Sequence, residues 1–167
     1  MDLQQVKQDI LTWSENFLEV PHPALGNWSP CPYARRARLN HQVDIRLGTD
    51  PYFDLEALAA QGLGSVQVVI FAYDPAVWTR EYFEPRLSAA NRDFLLAANL
   101  IVLEDHPADA EIVNGVCMNQ GTWALAMCQS LSDLDVKART MANKGFYHTW
   151  PEEYLQQLFE HRQDPRT

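Results

Sequence analysis

The sequence predicts an α/β fold, with α+β as the alternative. The expected architecture is a mixed, mainly parallel sheet of about four strands, with helices packed on it and a helical C-terminal portion. Three observations lead there. Residues 41–48, HQVDIRLG, alternate Val43, Ile45 and Leu47 with polar neighbours, the period-two pattern of a half-buried strand. Residues 65–73, SVQVVIFAY, are nearly continuously apolar and rich in β-branched residues, as a strand covered on both faces is, and 100–106, LIVLEDH, read as a third, shorter strand that is equally apolar at its start. Helix-start signals separate the three, and strand-helix-strand-helix-strand order gives parallel neighbours joined by right-handed crossovers.

Taken in chain order, Val6, Ile10, Trp13 and Phe17 recur at helical spacing, which predicts an amphipathic helix over about residues 3–18. Pro21, Pro23, Gly26 and Pro30 exclude regular structure from the segment that follows. Ser29 then offers an N-cap, Pro30 suits the first helical position, and YARRARL continues as a short helix. Asp50-Pro51, with acids in the first turn, opens a helix between the first two strands, and Asp74-Pro75 repeats the signal after the second. Pro85 is expected to split the next stretch into a short helix and a longer one burying Leu87, Ala90 and Phe94. Residues 111–121, EIVNGVCMNQG, read as a fourth strand, returning antiparallel. Residues 121–130, GTWALAMCQS, and 132–143, SDLDVKARTMAN, read as helices, the second closed by Lys144 and Gly145. Thr149-Trp150-Pro151-Glu152 has the form of a capping box, opening a last helix through about Arg162 with His161 in its exposed final turn.

At 167 residues the chain fits a single globular domain, 1–167, with residues 163–167 expected to fray. Hydrophobic content of 47% against 21% charged residues is globular composition rather than disorder. A net charge of -9 argues against a nucleic-acid groove or an anionic membrane surface as the main partner, although Arg35, Arg36 and Arg38 form a small basic island. No apolar run approaches the ~20 residues that span a bilayer, and the N-terminus lacks the basic-then-apolar pattern of a signal peptide. Three cysteines without CxxC spacing fit reduced thiols in a cytoplasm better than a disulfide framework.

Two segments could carry chemistry. Cys31 lies between Pro30 and Pro32 near an expected helix start, where free backbone N–H groups would stabilise a thiolate. Arg35 at i+4 and Arg38 at i+7 share its helical face and would hold an anionic small molecule. The plainer alternative is a small buried hydrophobe with solvated or paired arginines. The second segment, Glu104 to Glu111, follows an apolar strand and places His106 among carboxylates. His106 with Glu104, Asp109 or Glu111 has ligand types suited to a transition metal, although the spacing matches no standard motif and an ordinary polar turn explains it as well. Ligands in open α/β sheets gather beyond the carboxyl ends of parallel strands, which adds Tyr73 and Asp74 to the expected rim. A short helix-to-strand connection at Asn40-His41 would bring Cys31 to that same rim, as thiol partner to a His106 base.

The stretch from Trp13 through Leu25-Gly26 to Cys31-Pro32-Tyr33-Ala34 resembles a family of uncharacterised bacterial proteins with an early tryptophan helix followed by LG…CPFA, a resemblance that implies no activity. Cys31-Pro32-Tyr33 also looks like the start of the glutaredoxin CPYC motif, but Ala34 replaces the second cysteine and no strand precedes it, so that activity is not carried over. Three functions follow from the residues. The first is a small enzyme using Cys31 and His106, with Arg35, Arg38, Tyr73 and Asp74 binding an anionic substrate. The second is a non-catalytic binding or accessory protein with an apolar groove lined by the C-terminal aromatics. The third is a metal-dependent enzyme centred on His106.

Overall fold

The computed structural model describes residues 1–160 and 162–167, so the expected place of His161 lies outside the described residues. The strands are β1 (Val43–Leu47), β2 (Val68–Tyr73), β3 (Leu100–Asp105), β4 (Ile112–Val113), β5 (Val116–Cys117) and β6 (Ala124–Ser130). Four of them form one mixed sheet in the order β1-β2-β6-β3. β1 and β2 pair parallel, while β6 runs antiparallel to both β2 and β3. Three of the four strands therefore point one way, and helices cover them: the class is α/β, as expected.

The helices are α1 (Leu3–Trp13), α2 (Ala34–Leu39), α3 (Pro51–Gln61), α4 (Arg80–Ala90), α5 (Leu131–Asn143) and α6 (Glu152–Leu158). Side chains alternate across each strand, so the sheet has two separately covered faces. On one, Val69, Phe71 and Tyr73 of β2, Val102 of β3 and Ala124, Ala126 and Cys128 of β6 pack against Leu55 and Leu58 of α3 and Phe83, Leu87 and Ala90 of α4. On the other, Ile45, Ile70, Ala72 and Leu125 receive Val6 and Ile10 of α1. Ala138 of α5 packs with Leu155 and Phe159 at the C-terminal end.

The segment read as a helix at GTWALAMCQS is the internal strand β6. Its alanines favour helix intrinsically, but tertiary packing overrides that preference. Ala124 and Ala126 lie in the layer that holds the large rings of Phe71, Tyr73 and Phe83, and their small size leaves those rings room. The expected fourth strand at residues 111–121 is only the β4-β5 hairpin, a separate two-stranded sheet. Its Asn114-Gly115 turn has φ of 51° and 80°, the left-handed pair that a tight hairpin turn requires.

Smaller differences have local causes. Pro85 sits inside α4 without splitting it and lies on its exposed face, where the lost backbone hydrogen bond costs least. The last helix is capped at Pro151 rather than Thr149, with no side-chain cap bond. Beyond it, Pro165 is buried, and Arg166 pairs with Glu152 at 2.6 Å and with Asp164 at 2.6 Å. The β3 edge is closed by a side chain acting as backbone: Asn91 donates to the Val102 carbonyl at 3.0 Å and accepts from its N–H at 2.9 Å.

A knot at the carboxyl end of β2 joins both layers. Asp50 caps α3 by accepting from the Tyr52 N–H at 2.9 Å. Asp54 accepts from the Thr49 N–H at 2.7 Å and from the Tyr73 hydroxyl at 3.0 Å. The Tyr73 ring lies directly over Gly48, so closely that any Cβ there would penetrate it. Gly48→Ala should therefore destabilise the fold by about 1–3 kcal/mol, the ordinary cost of overpacking, read as a lowered urea midpoint. An unchanged midpoint would show that the Tyr73 ring moves freely.

Candidate functional site

Between the second sheet face and the helices above it lies a cavity of about 330 Å3. Its floor is Val43, Val68, Ile70, Leu103 and Met127 from all four strands. Ile10 and Trp13 of α1 and Ala37 and Arg38 of α2 form one wall; Lys137, Ala138 and Met141 of α5 form another. Phe146, Tyr147, Trp150 and Tyr154 close the far side. The volume is that of a small-molecule site, and the walls are largely apolar and aromatic. α1 continues into a π-helical turn over Ser14–Leu18, which brings Ser14 and Leu18 to the same wall.

Strand register sets the cavity's length. Val68 lies opposite Gln129, which lies opposite Ile101, and Asp105 is four residues further along β3. Strand rise and spacing then separate the Val68 end from the Asp105 end by roughly 16 Å. Cys31, Lys137 and Gln67 mark the first end; Asp105, Glu111, Met118 and Tyr154 mark the second.

Cys31 does line this cavity, in a different setting from the one expected. Helix α2 begins at Ala34, after Cys31, so the cysteine belongs to a preceding turn in which its carbonyl accepts from the Ala34 N–H at 3.1 Å. Burial pushes the thiol up from its ordinary range, more than the N–H groups of Tyr33 and Ala34 and the Lys137 charge pull it down. The sulfur is a neutral part of the wall at neutral pH. Arg38 is held bidentately by Glu19, at 2.7 and 2.9 Å, and touches Glu15 at 3.1 Å. Glu19 is lowered in turn, chiefly by the Arg38 hydrogen bonds. Arg35 is exposed and absent from the wall.

His106 faces the other way. The alternation that turns Asp105 into the cavity turns His106 onto the opposite face, where its ring lies 5.8 Å from that of Phe83. Nδ1 accepts from the Ala108 N–H at 3.1 Å, so Nε2 carries the proton and donates to the Trp78 carbonyl at 2.9 Å. Both nitrogens are engaged in holding the loop. Tyr73 is buried on that same face with its hydroxyl on Asp54, and burial raises its pKa. Asp74 caps its own turn, accepting from the Ala76 N–H at 2.8 Å. The structure thus separates Cys31 from His106, Tyr73 and Asp74. Among the described residues, no three of His, Cys, Asp and Glu gather as a metal-ligand set, and His106, Glu104 and Glu111 do not form one.

Sequence reasoning places Asp105 in the second candidate segment and on the rim but gives it no role of its own. It is 5% exposed, yet among the described residues its oxygens accept only from the Asn119 side-chain amide at 2.9 Å and the Gln120 N–H at 2.8 Å. Burial is the largest influence on it and raises its pKa. Glu111 accepts from the Tyr154 hydroxyl at 3.2 Å through Oε2 and is also raised, first by burial and then by Asp105 and Asp109. Tyr147 is pushed up to about 12 by burial. The signal that could have singled out Asp105 is its register in an apolar strand whose odd positions face one side. A more open hollow lies on α4, where Arg86 stacks over Trp78 at 5.9 Å.

No family model matches the chain, and no curated protein or solved structure is significantly similar to it. Among the described residues, no helix is long and apolar enough to cross a membrane.

Two outcomes follow from these environments. With a haloacetamide reagent at neutral pH, exposed Cys117 should be modified first, while Cys31 reacts more slowly than a free thiol, with a rate midpoint above ~8.5. A faster Cys31, read by peptide mass spectrometry, would overturn its assignment as a neutral wall. Glu104 is raised to about 7, mainly by burial and then by Glu84, Asp109 and Glu111. The folded chain keeps a proton there that the unfolded chain releases from about 4.5 upward, so this group's contribution falls as pH rises through about 7. Glu104→Gln should therefore lose less Tm between about pH 5 and 8 than the wild type does. An identical slope would sink that assignment.

Proposed function

We propose that the protein is a non-catalytic binding protein that holds an amphipathic small molecule in the cavity between the sheet and the C-terminal helices. The observation that carries this reading is the wall itself: an apolar floor from all four strands, closed by Trp13, Phe146, Tyr147, Trp150 and Tyr154. Such a volume with few polar groups, set at its ends, is how small apolar ligands are held and oriented. The thiol-histidine enzyme finds less support. A nucleophile and its base need to lie within hydrogen-bond reach or one water apart, and Cys31 and His106 serve opposite faces. A neutral Cys31 contributes shape rather than chemistry here.

N-phenyl-1-naphthylamine, a largely apolar fluorophore that brightens in dry sites, should bind one per chain. Ala138 is 4% exposed and Ala37 is 7% exposed, on separate walls. Ala138→Phe and Ala37→Phe each fill the cavity and should weaken dye binding at least about tenfold, at an overpacking cost of about 1–3 kcal/mol. Cys31→Ser should leave binding within about twofold. Dye affinity unchanged in both folded filling variants, or no dye binding to the wild type, would overturn the reading.

A further inference from the structure

The charges of the wall are not balanced from end to end. Among the described residues, each Lys and Arg in it already has a carboxylate. Arg38 is gripped by Glu19, Lys137 pairs with Asp133 at 2.6 Å, and Arg162 meets Asp135 at 3.3 Å. Lys137 also sits over the Tyr33 ring at 5.3 Å and donates to the Gln67 side chain at 2.9 Å. The carboxylates at the Asp105 end have no such partner: among the described residues, no Lys or Arg lies within 4 Å of Asp105 or Glu111. The nearby Asp109 is paired outward, to Arg80 at 3.1 Å.

The two acids also differ in what they still offer. Asp105 accepts one N–H on each oxygen, the pattern of an ionised carboxylate fixed by its loop. Glu111 accepts through Oε2 only, and among the described residues Oε1 receives no hydrogen bond. Tyr154, whose hydroxyl fixes Glu111, has its ring 5.6 Å from that of Trp150, so aromatic surface flanks the pair. Two like charges placed together at low dielectric repel, and a cation delivered between them would relieve both. The surrounding rings would add their own attraction for it.

We propose that the ligand carries a protonated amine on an apolar body, the ammonium seated at Glu111 and Asp105 and the body lying over Leu103 and Met127. This rests on the cavity-binding reading and names the ligand class within it. Among the described residues an anion finds no unengaged Lys or Arg in this wall, and a neutral alcohol would leave the carboxylates uncompensated.

The test is displacement of N-phenyl-1-naphthylamine by octylamine, octan-1-ol and octanoate at pH 7, on wild type, Glu111→Gln and Asp105→Asn. Octylamine should displace the dye at a concentration at least about tenfold lower than octanol, with octanoate weakest. Glu111→Gln should remove most of that advantage and leave octanol within about twofold of its wild-type value. Asp105→Asn loosens the loop that Asn119 and Gln120 anchor, so Glu111→Gln carries the result if the former fails to fold. Octanoate or octanol equalling octylamine while still displacing the dye would overturn the amine inference and leave the cavity reading standing. An amine advantage of the same size in Glu111→Gln would also overturn the inference. Failure of the dye itself to bind would sink both.

Discussion

Strand β6 enters the sheet between β2 and β3 and runs against both. Everything placed on β3 depends on that insertion. Hydrogen bonding to β6 fixes the register Asp105↔Leu125 and Ile101↔Gln129, and register fixes face. A slip of one residue would exchange Asp105 and His106, putting an imidazole in the cavity and a carboxylate against Phe83. The small residues of β6 make the arrangement possible. Ala124 and Ala126 leave space for Phe71, Tyr73 and Phe83 on one face, while on the other Leu125 packs with Val6 and Ile10 of α1 and Met127 joins the cavity floor.

Much of the fold is legible in the chain. Val43, Ile45 and Leu47 alternate and form an outer strand, and the apolar runs at β2 and β3 are covered on both faces. The Asp50-Pro51 signal opens α3 with the capping bond it implies. What the chain conceals is the competition between local preference and packing. Ala-rich residues 124–130 favour helix locally and become strand because aromatic rings elsewhere need thin neighbours. Ser29-Pro30 resembles a helix start, but the turn tightens around Cys31 first, and α2 waits until Ala34. The candidate site divides for the same reason. Cys31 was visible as a residue held stiffly by prolines, while the face on which it and His106 lie depends on strand order, which no local pattern encodes.

The electrostatic division of the cavity follows from where the ion pairs close. Arg38 and Glu19 sit on neighbouring segments of the N-terminal wall, with Glu19's side chain 5% exposed and Ser14 completing its bonds at 2.8 Å. Lys137 and Asp133 are one helical turn apart on α5. These pairs are satisfied by local geometry. Asp105 and Glu111 flank a loop whose donors are amides and a phenol, none carrying charge. Neutral donors can orient a carboxylate but leave its charge in a poorly solvated place, which is why burial leads the causes that raise both groups.

The wall carries a second uncompensated feature of the same kind. The indole N–H groups of Trp13 and Trp150, both lining residues, are buried without hydrogen-bond partners among the described residues. An unsatisfied buried donor costs about 1–3 kcal/mol, a large share of a small domain's net stability. A wall selected only for stability would replace such rings by aliphatic side chains and pair its acids. The opposite sheet face is also rich in rings, but the Tyr73 hydroxyl, the His106 ring and the Asp54 carboxylate there all have partners. The two faces of one sheet thus answer different demands. One holds a phenol, an imidazole and a carboxylate already partnered within the fold, and the other keeps rings and carboxylates that the proposed ligand would complete. Any molecule that completes them binds the folded state alone, and so adds its binding free energy to the fold's own.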